Sequence, residues 1–161
     1  MAVSNTPKEK RRFKASFSAM EIILKNFQKK VPIPQAKILK AAKAAFCKLE
    51  KNRDVSRFFK KKGRRPCFSI AFVGTKRMRA VNKKYLGHDY VTDVLTFDFG
   101  EAQAEIVICP HIASVNARSH QTSTENEIIL YVIHGILHLA GYDDHKPRDI
   151  LQMRRMEKKL L

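Results

Sequence analysis

The stretch "TSTENEIILYVIHGILHLAGYDDH", residues 122–145, decides the fold. From Glu125 to Ala140 its apolar residues run almost all the way round a 3.6-residue period, and a helix that is apolar on every side is a buried one. Thr122 and Glu125 stand at the spacing of a capping box at its start, and Gly141 ends it. The remaining elements are therefore expected to wrap a central helix. That helix carries His134 and His138 one turn apart on a single face.

Two buried imidazoles without partners cost about 1–3 kcal/mol each, whereas one bound zinc ion uses both lone pairs. Two core histidines bonded to backbone carbonyls are the plain alternative, but the Gly and the Asp-Asp-His run that follow favour a metal. Gly141 permits a positive φ, so the chain folds back toward the face it has just left. Zincins of the pattern H-E-x-x-H-x-x-G-x-x-H take their third ligand three residues beyond that glycine, and Asp144 stands there. His145, one step further, is the commoner zinc ligand by residue type. Asp144 is favoured on register, His145 stays an alternative, and Asp143 is expected to orient a ligating imidazole from outside. Three protein ligands would leave a position for water, whose pKa zinc lowers to about 7. Gly135 occupies the place of the glutamate that serves metallopeptidases as general base, which disfavours that reaction.

Working outward, "MEIILKNF" reads as a strand, "QAKILKAAKAAFCKLE" as a helix, and "CFSIAFV" as a second strand with Phe68, Ile70 and Phe72 on one face. Thr75 is placed to cap a helix that runs to Gly87. "VTDVLTFDF" and "EIVICP" read as two further strands, the first with Leu95, Phe97 and Phe99 inward. A helix follows from Pro110 to about His120, and Pro147 opens a last amphipathic helix ending at Leu161. The expected architecture is α/β (α+β): a small mixed sheet of about four strands with about five helices and the histidine helix at its centre. Residues 20–161 read as a single domain and residues 1–19 as a flexible basic extension. Cys47, Cys67 and Cys109 form no close pair and read as reduced, buried thiols.

The charge is lopsided. Residues 1–65 hold 20 of the 32 Lys and Arg but only 4 of the 15 Asp and Glu, and so carry +16 of the net +17. A polyanion partner follows, nucleic acid ahead of lipid, because each neutralised phosphate releases counterions. "KKKGRR", residues 60–65, is the densest such loop. No window reaches the roughly 18 uninterrupted apolar residues of a membrane span, so a cytoplasmic protein with no membrane contact is expected. A Lewis acid in a polybasic protein is suited to phosphodiester hydrolysis.

Three stretches, "VNKKYLGHDYVTDVLTFDF", "AEIVICP" and "HGILHLAGYDD", occur in the order and spacing of one family. Over residues 20–161 the chain resembles the YbeY metal-dependent endoribonucleases, whose signature reads H-G-x-L-H-L-x-G-Y-D-H. The resemblance implies a zincin-like site holding one Zn²⁺, cleavage of single-stranded RNA, 16S rRNA 3′-end maturation, ribosome quality control, and association with the small ribosomal subunit. Leu86 stands where the family has an arginine thought to act at the site, so a phosphate contact would fall to His88, Lys83 or Lys84. The downstream segment aligns without a gap when Asp144 takes the place of the third histidine. Thr92 and Asp93 would lie beside the site on a strand, and Tyr85 and Tyr90 would flank the basic cluster, able to stack on unpaired bases. A different class of function is an rRNA-binding biogenesis factor with a structural metal. A closed site using Asp144 and His145 together would mark it.

Overall fold

The computed structural model describes residues 20–49, 52–53, 67–100 and 102–161. The extension 1–19 and the "KKKGRR" loop lie outside the described residues. Four strands, β1 (Glu21–Asn26), β2 (Cys67–Phe72), β3 (Val94–Gly100) and β4 (Gln103–Ile108), form one sheet in the order β1-β2-β4-β3. β1, β2 and β4 run parallel, and β3 pairs antiparallel with β4 at the edge. Helices α1 (Gln35–Lys48), α2 (Thr75–Leu86), α3 (Pro110–Ser119), α4 (Thr124–Leu139) and α5 (Pro147–Leu160) complete an α/β fold with a mixed sheet, as the sequence implies.

The sheet has two unequal faces. On one, Phe68, Ile70, Phe72, Ile106 and Ile108 meet α1, α4 and α5 in the main core. On the other, Ala71, Val73, Leu95 and Val107 meet Met78 of α2. β2 is therefore buried on both sides, as parallel strands are when helices cover each face. The alternation read in "CFSIAFV" captured one face of it. Phe99 is a correction: it was expected inward but is 61% exposed, because β3 runs past the end of α2. Cys47 is exposed and Cys67 half-buried, so only Cys109 is the buried thiol expected of all three.

The caps of two helices also differ from expectation. Gly74, not Thr75, is the N-cap of α2, with Thr75 already in the first turn. At α4 the cap is Ser123, whose Oγ accepts from the Asn126 amide at 3.1 Å. Thr122 lies one residue too early for that bond, and Glu125 pairs instead with Lys37 of α1.

α4 approaches the sheet most closely at Gly135. A Cβ there would stand 2.4 Å from Ile106 Cδ1 and 2.9 Å from Thr96 Oγ1. Glycine at this position is what brings the helix backbone onto β3 and β4.

Candidate metal centre

Spacing of four puts His134 and His138 on the same side of α4, their ring centroids 4.6 Å apart and their planes at 81°. The Nε2 atoms face each other at 3.0 Å. Each ring is held from behind. His134 Nδ1 lies 2.7 Å from Glu157 Oε1 on α5, and His138 Nδ1 lies 3.0 Å from the carbonyl of Tyr142. A carboxylate and a carbonyl can only accept, so each ring donates through Nδ1–H and a neutral ring leaves Nε2 bare. Two bare lone pairs at that distance repel unless a cation lies between them.

The turn after α4 delivers the third donor. Gly141 takes φ +83°. Its amide donates to the His138 carbonyl and the Tyr142 amide to Leu137, each at 3.0 Å. This reversal brings Asp144 back over the rings, its carboxylate oxygens 3.5 Å from His134 Nε2 and 3.9 Å from His138 Nε2. A tetrahedral zinc site with bonds of about 2.0–2.1 Å separates its donors by about 3.4 Å. The three atoms therefore fit one ion, with two imidazoles and one carboxylate as a chemically suitable donor set.

His145 is not one of these three donors. Its Nδ1 pairs with Asp143, and both side chains are exposed. The structure thus gathers His134, His138 and Asp144 as one donor set, and Asp143, Asp144 and His145 as a second, exposed set that shares Asp144 with the first. Asp143 orients neither ring of the pair by hydrogen bond, contrary to expectation; Glu157 and the Tyr142 carbonyl do so. Glu157 escaped the sequence reading, although a signal was there. It falls on the inward stripe Met153, Glu157, Leu160 of α5, the place of an apolar residue.

The electrostatics divide the two rings. Burial works against charge on His134, but the Glu157 hydrogen bond and the fields of Glu157, Asp144 and Asp93 together carry its pKa above the ordinary value. Burial and then His134 itself push His138 below its ordinary value. The pair accommodates one positive charge and resists two.

Asp93 stands just before β3, not on the strand as expected. Its Oδ1 accepts from Thr92 Oγ1 at 3.0 Å and from the Val94 amide at 2.8 Å, which satisfies the start of β3, while its charge reaches His134. The contacts of the proposed phosphate ligands are local. Lys83 pairs with Asp89 at 3.0 Å, Lys84 lies 5.1 Å from the Tyr85 ring, and His88 stacks on Tyr90. Arg79 and Lys83 together hold the Asp89 carboxyl down to a pKa of about 2.

The fold and its donor cluster define an α/β protein built around a three-donor site on a central helix. Comparison with known proteins gives that class a family. The profile described as Endoribonuclease YbeY matches residues 23–161. Among curated relatives of that name, the one from Chlorobium phaeovibrioides is 31% identical over 80% of this chain and 81% of its own length. Those from Chlorobium luteolum and Thermotoga neapolitana are 38% and 45% identical, with matched spans covering 67% and 51% of their own lengths. A solution structure from Thermotoga maritima superposes with a TM-score of 0.53 at 31% identity, covering 88% of this chain and 85% of that one. The chain belongs to the Endoribonuclease YbeY family, which puts it among the nucleases, the hydrolases of phosphodiester bonds.

Proposed function

We propose that this chain is a metal-dependent endoribonuclease specific for single-stranded RNA. It acts in 16S rRNA 3′-end maturation and ribosome quality control, in the cytoplasm and at the small ribosomal subunit. The observation that carries the reading is the convergence of His134 Nε2, His138 Nε2 and the Asp144 carboxylate, with the opposite nitrogen of each ring already committed. Family membership supports the reaction class, and the net charge of +17 supports a polyanionic substrate. Among the described residues no helix is long and apolar enough to cross a membrane.

In this reading His134, His138 and Asp144 hold one Zn²⁺. Such an ion supplies Lewis acidity toward a phosphodiester and makes water a stronger acid. The chain does the rest. Glu157 and the Tyr142 carbonyl hold the Nδ1–H of both rings, so that each neutral ring presents its Nε2 lone pair to the metal. One carboxylate with two neutral imidazoles leaves a site of net positive charge, which favours an anionic substrate. Asp93, at the start of β3, adds negative charge beside His134 and favours cation retention. Gly135 leaves no general base one residue beyond the first histidine, which separates this site from that of the H-E-x-x-H peptidases.

His138→Ala is expected to lose the metal and the cleavage of a single-stranded RNA while retaining most RNA affinity. Cleavage that persists in a variant shown by elemental analysis to be metal-free would reject the proposal.

A further inference from the structure

A row of aromatic rings, half-buried in the middle and exposed at both ends, lies on the α2 face of the sheet, away from the donor cluster. Phe97 and Phe99 share one side of β3, their rings stacked with centroids 6.2 Å apart and planes at 8°. Tyr85, in the last turn of α2, meets Phe97 edge-on at 5.2 Å. The two ends of the row are open, Tyr85 being 57% and Phe99 61% exposed. Leaving Tyr85 and Phe99 exposed on either side of the half-buried Phe97 forgoes burial that their core neighbours obtain, and such grouping marks an interaction site.

The surrounding charge identifies the partner. α2 carries Lys76, Arg77, Arg79, Lys83 and Lys84 and no acidic residue. Lys84 sits beside the Tyr85 ring. The nearby carboxylates are Asp89, paired with Arg79 and Lys83, Asp98, whose Oδ1 accepts from the Gly100 amide, and Glu105, the cross-strand partner of Phe97, which pairs with Lys25 and accepts from Ser69 Oγ. Rings on a basic helix, with Lys84 beside one of them, suit a strand with aromatic bases and anionic phosphates. Paired bases are stacked on each other and offer no free face, so the occupant is single-stranded.

We propose that Tyr85, Phe97 and Phe99, with Lys84 beside them, form a stacking platform that holds unpaired bases of an RNA strand. The assignment rests on the reading of the chain as an RNA nuclease and adds to it a place where the substrate is gripped. β3 links platform and donor cluster. Asp93, whose charge reaches His134, precedes the strand, and Phe99 lies six residues further, about 20 Å along an extended chain. β3 is also the edge of the sheet, so a bound strand passes from the platform toward the donor cluster without crossing another β-strand. A run of a few nucleotides covers that span.

The test uses metal-free full-length protein, so that binding is read without cleavage, and a single-stranded RNA carrying 2-aminopurine. Phe99→Ala and Tyr85→Ala are each expected to weaken binding roughly 5-fold to 100-fold and to relieve the fluorescence quenching that stacking causes. Tyr85→Phe, which keeps the ring, is expected to bind as the parent does. Lys84→Gln is expected to lower the salt slope of binding by about 1. Because Phe99 is exposed, its variant keeps the parent's melting temperature, which separates lost stacking from lost folding. Unchanged affinity and quenching in Phe99→Ala and Tyr85→Ala, or a parent that binds no single-stranded RNA, would overturn the platform and leave the face to a protein partner. Cleavage by the metal-loaded parent is scored separately. A parent that cuts RNA with platform variants binding normally refutes the platform alone, whereas ring-dependent binding without cleavage refutes the nuclease alone.

Discussion

Replacing Gly135 by alanine tests the contact that seats the histidine helix on the sheet. In an open helix this change stabilises by about 1 kcal/mol, because glycine is the more flexible residue in the unfolded chain. Here the new Cβ would stand 2.4 and 2.8 Å from Ile106 Cδ1 and Cγ1 and 2.9 Å from Thr96 Oγ1. Ile106 is fully buried and has little room to turn away. Overpacking of this kind costs about 1–3 kcal/mol, and three such short contacts belong at the upper end. The net expectation is a loss of about 2 kcal/mol, or about 4–8 °C in melting temperature for a domain of this size. Ile106→Val removes Cδ1, the closest atom, and alone costs about 0.5–1.5 kcal/mol. The double variant should therefore be at least about 1 kcal/mol more stable than the sum of the single effects requires. Thermal and urea unfolding of the four proteins measure the cycle. A stabilised Gly135→Ala, or strict additivity with Ile106→Val, would refute the close approach.

Two further predictions concern the donors. Glu157→Gln keeps the size of the side chain but removes the charge on His134 Nδ1–H, and should weaken zinc binding roughly 10-fold to 100-fold in a competition titration with a chromophoric chelator; an unchanged affinity would show that Glu157 does not support the ring. Asp144→Asn should lower zinc affinity by a larger factor than His145→Ala, which should leave it near the parent value, and the reverse order would make His145 the third ligand.

How much of this was legible in the sequence depends on how local each feature is. α4, its two histidines and the reversal at Gly141 follow from spacing and from one residue's tolerance of positive φ, so they could be read directly. Strand and helix order was equally accessible because the apolar period changes from two to 3.6 along the chain. The inward placement of Phe99 failed because alternation tells which residues share a side, not how far the covering helix extends along it. Choosing Thr122 as the cap of α4 failed by one residue, since Thr122 and Ser123 offer the same hydroxyl chemistry. The narrowness at Gly135 depends on Ile106 and Thr96, residues remote in sequence, and no local pattern announces it. Glu157 lies between these cases: a carboxylate on the apolar stripe of α5 signals a buried partner without saying which one.

The most direct test of the central claim starts from chelated protein and measures the rate of single-stranded RNA cleavage as zinc is returned in steps. The rate should rise from zero in proportion to bound metal and level off at one ion per chain, with His138→Ala flat throughout. Full cleavage at zero bound metal, or a rate indifferent to the metal added, would contradict it.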